Sequence, residues 1–164
     1  MTWRLYGSLP VEVVERLSRR LGSSSGKYFL NIDRVLDRAG TGISWLNDAR
    51  IADLVMAAIR RGEKDLGHYV LQAFTIMPNH VHLLVDPCVP IQRITKGLKG
   101  TTAREANLIL DRTGQPFWQD ESFDHWVRNG KQFHRIQMYI ENNPVAAGLV
   151  QQPQQWPWSS ASQP

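Results

Sequence analysis

A chain of 164 residues, 42% hydrophobic and 21% charged, is long enough to bury a core and fits one domain. It holds no run of about 18 apolar residues that would read as a membrane span, no apolar segment after Met1-Thr2-Trp3-Arg4 of the kind a secretory signal needs, and one cysteine, Cys88, which excludes an internal disulfide framework. A cytoplasmic protein is expected, and the net charge of +4 is compatible with a polyanionic partner without requiring one.

Thr2 to Tyr6 reads as a short strand. Ser8-Leu9-Pro10 then opens a helix, with Ser8 as N-cap and Val11, Val14, Leu17 and Leu21 at helical spacing. LGSSSGK, residues 21–27, reads as a flexible break. From Tyr28 to Arg38, the residues Tyr28, Phe29, Ile32, Val35 and Leu36 share a helical face, with a strand over Tyr28 to Ile32 as the alternative; the helix would stop at Gly40. Asn47 or Asp48 caps the next helix, whose Ile51, Leu54, Val55, Ala58 and Ile59 keep helical period up to Gly62.

Tyr69 to Ile76 predicts a buried strand, Pro78-Asn79 a turn, and His80 to Val85 the returning strand of a hairpin. A long helix follows from Ile91 to Asp111, with Ile94, Leu98, Ala106 and Leu110 facing inward and Gly97 and Gly100 weakening its first half. A short strand is expected at Phe123 to Trp126. The last helix, Lys131 to Asn142, should end at Pro144, because the residue before a proline is pushed out of the helical region. Residues 1–150 would form the catalytic domain, and the Gln-, Pro- and Trp-rich residues 151–164 a tail lying over it. The order strand, helix, strand, strand, helix, strand points to an α+β sandwich of the ferredoxin-like kind. Its antiparallel sheet would carry helices on one face, with extra helices inserted after the first strand and a helix added at the end.

Within the hairpin, MPNHVHLLVDP sets His80 and His82 two residues apart. Alternate strand residues leave the same face, so the imidazoles stand side by side, about 6 to 7 Å apart along the strand. Imidazole nitrogen can join amide or carboxylate oxygens around a divalent cation, leaving other positions to water and a substrate phosphate. Two ligands do not make a site, and taken alone the pair reads first as a hydrogen-bonded or solvated face. In YIENNPVAAGLV, Tyr139 and Asn143 lie four residues apart on one helical face. A phenol there could attack a phosphorus while the amide oxygen binds the metal that polarises it. Alone, the same two residues read as a core tyrosine and a helix-capping asparagine.

Together these stretches are far more specific. MPNHVHLLV followed by FWQ, FDHWVRN, YIENNPVAAGLV and WPWSS resembles the single-tyrosine HUH transposases, and within them the REP-associated tyrosine transposases. MTWRLYGSLPVEVVERL resembles that branch's opening strand and helix, WLNDARIADLV the helix before the hairpin, and LKGTTAREAN its basic helix; residues 22–40 resemble it least. The resemblance implies that His80, His82 and Asn143 hold a divalent cation, Mg²⁺ or Mn²⁺, and that Tyr139 is the nucleophile. It implies cleavage and strand transfer of single-stranded DNA through a 5′-phosphotyrosine, on hairpins like those of repeated palindromes, and hence DNA transposition or repeat mobilisation. Ala146 stands where the branch commonly has a basic residue after NPV.

The expected partner is single-stranded or hairpin DNA, in the nucleoid and away from membranes, with the monomer favoured over the homodimer. Arg93, Lys96, Lys99 and Arg104 fall within twelve residues, and Arg128, Lys131 and Arg135 follow near the tyrosine motif. Arg93, Lys96, Lys99, Arg104 and Arg128 would track phosphates, and Trp118 or Trp126 would stack a base; solvated helix faces and core tryptophans are the ordinary readings. No GxxxxGK[ST] phosphate loop is present, which fits a reaction that keeps its bond energy in the phosphotyrosine. Two rivals remain open: a domesticated nucleic-acid-binding protein that no longer cleaves, and a metal-dependent hydrolase in which water attacks.

Overall fold

The computed structural model describes residues 1–21, 26–38 and 42–162; most of the break expected at 21–27 and the helix stop at Gly40 lie outside them. Four strands, β1 (Thr2–Leu5), β2 (Tyr69–Ile76), β3 (His80–Pro87) and β4 (Trp118–Phe123), make one antiparallel sheet in the order β2-β3-β1-β4. The described helices are α1 (Val11–Leu21), α2 (Gly26–Arg38), α3 (Ala49–Lys64), α4 (Ile91–Ile109) and α5 (Gly130–Ala146). The architecture is α+β, and the Tyr28–Arg38 segment takes its helical alternative. None of the described helices is long and apolar enough to cross a membrane.

Strand alternation divides the molecule into two unequal layers. Val81 and Leu83 of β3 face the same way as Phe74 and Ile76 of β2 and Trp3 and Leu5 of β1. Ile51, Val55 and Ile59 of α3 and Ile94, Leu98 and Ala106 of α4 close over them. Each such side chain contributes about 1.5–3 kcal/mol on full burial, so this face carries most of the apolar stabilisation. On the opposite face the apolar cluster is small, Ile140 of α5 over Ala73 and Leu84. The space beside it is where His80 and His82 point.

Four local outcomes depart from the sequence pattern. Ser8 does not cap α1, which begins at Val11; it is buried, and its hydroxyl accepts from Arg4 while Val13 N and Val14 N bond to Pro10 O. The other three concern α3, β4 and α5. Asp48 caps α3, its side chain accepting from Arg50 N at 3.0 Å, but α3 does not stop at Gly62. That glycine is buried inside the helix because the Tyr69 phenol occupies the space a Cβ would need, its hydroxyl donating to Ile59 O at 2.6 Å. The fourth strand lies at Trp118–Phe123 rather than Phe123–Trp126. Trp118 fixes its position: it pairs with Leu5, sets its ring edge-on to Trp3 with centroids 6.1 Å apart, and donates Nε1–H to Thr102 Oγ1 at 2.9 Å. Pro144 sits inside α5 instead of ending it. Proline forfeits the bond its own N–H would have made and crowds the carbonyl four residues before it, but the helical turn that follows holds, with Ala147 N reaching Asn143 O at 2.9 Å.

Beyond α5 the chain returns along the outer edge of β2. Ile76 N donates to Trp158 O at 2.9 Å, the Trp156 indole donates to Ile76 O at 2.9 Å, and Thr75 and Ser159 form a β-bridge. Ser160 Oγ donates to Glu141 Oε1 of α5 at 3.0 Å. The tail thus ties α5 to the sheet on which it lies.

Candidate active site

β3 turns both imidazoles onto the α5 face, and there they lean together until their Nε2 atoms are 3.1 Å apart. Both are fully buried. The Nδ1 atoms are held from behind, His80 by Asn79 Oδ1 at 2.6 Å and His82 by Thr2 Oγ1 at 2.8 Å. Asn79 donates its amide N–H to Leu36 O at 3.0 Å, which fixes its oxygen toward His80. His80 Nδ1 must therefore carry the proton, and Nε2 is left with a lone pair. Burial, with the neighbouring His82, lowers the His80 pKa to about 3 against a partly opposing pull from Asp33. The ring is neutral at physiological pH, as a metal ligand has to be.

α5 contributes two side chains one turn apart. Asn143 is buried, with Nδ2 3.2 Å from His82 Nε2. No hydrogen bond among the described residues reaches its Oδ1, and rotation of the amide would exchange the two atoms. Tyr139 is 36% exposed, its ring centroid 5.8 Å from that of His82. It stands at the mouth of the site, with one side in the protein and one open.

The residue that sequence reasoning missed is Asp33. α2 brings it in with no exposed surface, placing Oδ1 3.2 Å from His82 Nε2 and 3.4 Å from His80 Nε2. Its other oxygen, Oδ2, accepts a hydrogen bond from the Tyr139 hydroxyl. Asp37 follows one turn later, with Oδ1 3.9 Å from His80 Nε2. Burial alone would raise the Asp33 pKa, but His82, His80 and the Tyr139 hydroxyl together hold it well below the usual carboxylate range. Burial, and then the charge and hydrogen bond of Asp33, push the Tyr139 phenol above its ordinary range. In this arrangement the carboxylate is charged and the phenol protonated. The sequence held one hint of this: Asp33 interrupts the apolar stripe of Ile32 and Leu36.

The chemistry of this donor set favours a cation. Two imidazole nitrogens at 3.1 Å repel unless a proton or a metal lies between them, and a buried carboxylate is costly without a positive partner. Ligand atoms of Asp33, His80 and His82 all lie within 4.8 Å of one another. Mixed imidazole nitrogen and carboxylate oxygen suits a divalent cation, so this buried group could hold one.

The remaining expected site residues do not gather here. Trp118 is only 6% exposed and hydrogen-bonded in the core, so it offers no face to a base. Lys99 Nζ donates to Gln119 O at 2.6 Å and Asp120 O at 2.8 Å, fastening α4 to β4 rather than reaching a phosphate. Arg93, Lys96 and Arg104 are exposed on α4, which packs on the opposite face of the sheet from Tyr139. Arg128 is exposed just before α5, and Trp126 is 71% exposed. Among the described residues, Arg34 and Arg135 line the clefts that Tyr139 borders.

Comparison with known proteins gives the family and the fold. No curated protein sequence matches the chain at a significant level. A solved structure described as "Structure of the REP associates tyrosine transposase bound to a REP hairpin" has a similar fold, with a TM-score of 0.60 and 23% identity over 71% of this chain and 68% of that one. The sequence profile of the family described as "Transposase IS200 like" matches residues 43–143, a span that runs from before α3 through both histidines to Tyr139 and Asn143. The chain belongs to the IS200-like transposase family.

Proposed function

We propose that the chain cleaves and rejoins single-stranded DNA through a covalent phosphotyrosine at Tyr139, with Mg²⁺ or Mn²⁺ held by His80, His82 and Asn143 and, in addition, by Asp33. The observation that carries this reading is the convergence of two buried Nε2 atoms, a carboxylate and an amide on a tyrosine hydroxyl bonded to that same carboxylate. When bound, the cation would neutralise non-bridging charge on a phosphodiester and orient it for in-line attack.

The chain's own residues supply the rest. Asn79 and Thr2 hold the imidazoles in register. Asp33 Oδ2 holds the phenol by its proton and is the atom to which that proton can pass. The Tyr139 oxygen forms its bond to phosphorus as the P–O3′ bond breaks, and the departing 3′ oxygen takes up a proton. The 5′-phosphotyrosine keeps the energy of the broken linkage, so attack by a 3′-OH reverses the step without another energy source. The substrate we infer is a single strand adjoining a hairpin, in keeping with the hairpin bound by the solved transposase of similar fold. Action as a monomer, associated with the nucleoid, completes the reading.

The test is covalent capture. A single strand labelled on the 3′ side of its cut should, with Mn²⁺, yield a labelled protein band that survives boiling in detergent; label on the 5′ side should not transfer. Tyr139→Phe removes one oxygen and should form no adduct, whereas Phe at Tyr6, Tyr28 or Tyr69 should leave the adduct in place. Binding without any adduct would favour the domesticated DNA-binding protein. Cleavage that persists in Tyr139→Phe would make water the nucleophile.

A further inference from the structure

Tyr139 stands between two clefts of opposite character. One, of about 790 Å³, is polar and carries Arg34, Asp37, Asn142 and Asn143. The other, of about 680 Å³, opens between the β1–β3 strands and α5. Its walls include Leu84, Phe123, Val127, Ile136 and Ile140, and His82 and Tyr139 border it on the catalytic side.

A polyanionic strand attacked at Tyr139 must place its neighbouring nucleotides within a few ångströms of the phenol. The Leu84, Phe123, Val127, Ile136 and Ile140 side chains offer a phosphate nothing to replace its lost water, so within this cleft a phosphate belongs beside Arg135 and not among them. The uncharged, flat part of a nucleotide is its base, which gains from apolar and aromatic contact. The rim of the cleft is also built to meet a polar edge. Gln132 Nε2 and His125 Nε2 lie 2.6 Å apart, and Gln132 Oε1 accepts from Arg128 N at 2.8 Å. Gln132 N in turn donates to the Asn129 side chain that caps α5. Both side chains are thereby pre-set before any ligand arrives, and pre-set groups bind at lower entropic cost. Arg135 stands beside them, exposed, with a charge complementary to a phosphate.

We propose that this cleft is a nucleobase pocket. It takes one of the two bases flanking the scissile phosphate, packs it on Val127 and Ile136, and meets its edge with the His125–Gln132 pair, while Arg135 engages the adjoining phosphate. Part of the cut-site preference then resides in protein side chains on one side of the break. The proposal rests on the strand-cleavage reading and adds to it a site for one base.

The experiment uses the full chain with Mn²⁺ and a fully randomised pool of long single strands, sequencing both the protein-linked and the released fragments. Wild type should show a base preference of roughly tenfold at one nucleotide adjoining the cut. Ile136→Trp, which fills the cleft, and His125→Ala, an exposed change that spares the fold, should both flatten that one position and leave preferences elsewhere intact. No preference at either flanking nucleotide would overturn the pocket, and so would a preference that survives both variants. If wild type forms no adduct with any strand, strand cleavage itself fails and the pocket with it, whereas adducts of unaltered preference refute the pocket alone.

Discussion

The hydroxyl of Tyr139 hydrogen-bonds to Oδ2 of Asp33, a residue 106 positions earlier on a helix that no sequence motif ties to the site. The other oxygen of the same carboxylate faces both histidine Nε2 atoms. One side chain therefore touches both the histidine pair and the tyrosine. Asp33→Asn keeps the volume and removes the charge. Mn²⁺ affinity, read by titration calorimetry, should fall about 10- to 100-fold, the scale seen when groups supporting a metal are lost. Adduct yield should fall further, because the phenol also loses the carboxylate that can take its proton. An unchanged Mn²⁺ affinity would take Asp33 out of the site.

Metal loading should be visible in stability without any DNA. A ligand that binds only the folded state stabilises it by about 2.7 kcal/mol at a hundred times its dissociation constant, so Mn²⁺ should raise the thermal midpoint of the wild type. His82→Ala removes a ligand and the partner of both Thr2 and Asn143, and should abolish that rise along with cleavage. Cleavage at the full rate after EDTA treatment would show that no metal is needed.

Charge on the surface should divide by location. Arg135→Ala, beside the tyrosine, should reduce the salt slope of single-strand binding by about 0.7, the value for one lost phosphate contact. Lys99→Ala should leave the slope alone. Its ammonium is already spent on Gln119 O and Asp120 O, and its loss should appear as about 1 kcal/mol of stability in urea unfolding.

Gly62→Ala tests the packing of α3 on β2. The added methyl meets the Tyr69 phenol ring, which is fixed by its bond to Ile59 O. Such overpacking costs about 1–3 kcal/mol, against the small gain expected for alanine in an exposed helix. A stabilised Gly62→Ala in urea unfolding would contradict the contact.

What the sequence revealed and what it concealed follow the range of the forces involved. The histidine pair and the Tyr139–Asn143 pair each lie within one element, so strand alternation and helical spacing expose them directly. Asp33 joins them only when α2 folds against the face of the sheet that carries the imidazoles, and no local period links residue 33 to residue 139. The stretch from Phe117 to Trp126 carries aromatic residues at both ends with Gln-Asp-Glu-Ser between them, so either end can be read as the strand; the indole's hydrogen bond to Thr102 and the pairing with Leu5 decide it. Lys99 was legible as a charge but not as a clamp, because its acceptors are backbone carbonyls twenty residues away.

The return of the chain along β2 also bears on solubility. β2 is an outermost strand, and a bare strand margin offers unpaired N–H and C=O groups that recruit other chains. Trp156, Trp158, Ser159 and Ser160 occupy that margin between Phe74 and Ile76. A chain cut after residue 150 would lose more than the link to Glu141. It would expose a self-adhesive border beside the helix that carries Tyr139, and the expected product is an aggregate rather than a loosened monomer.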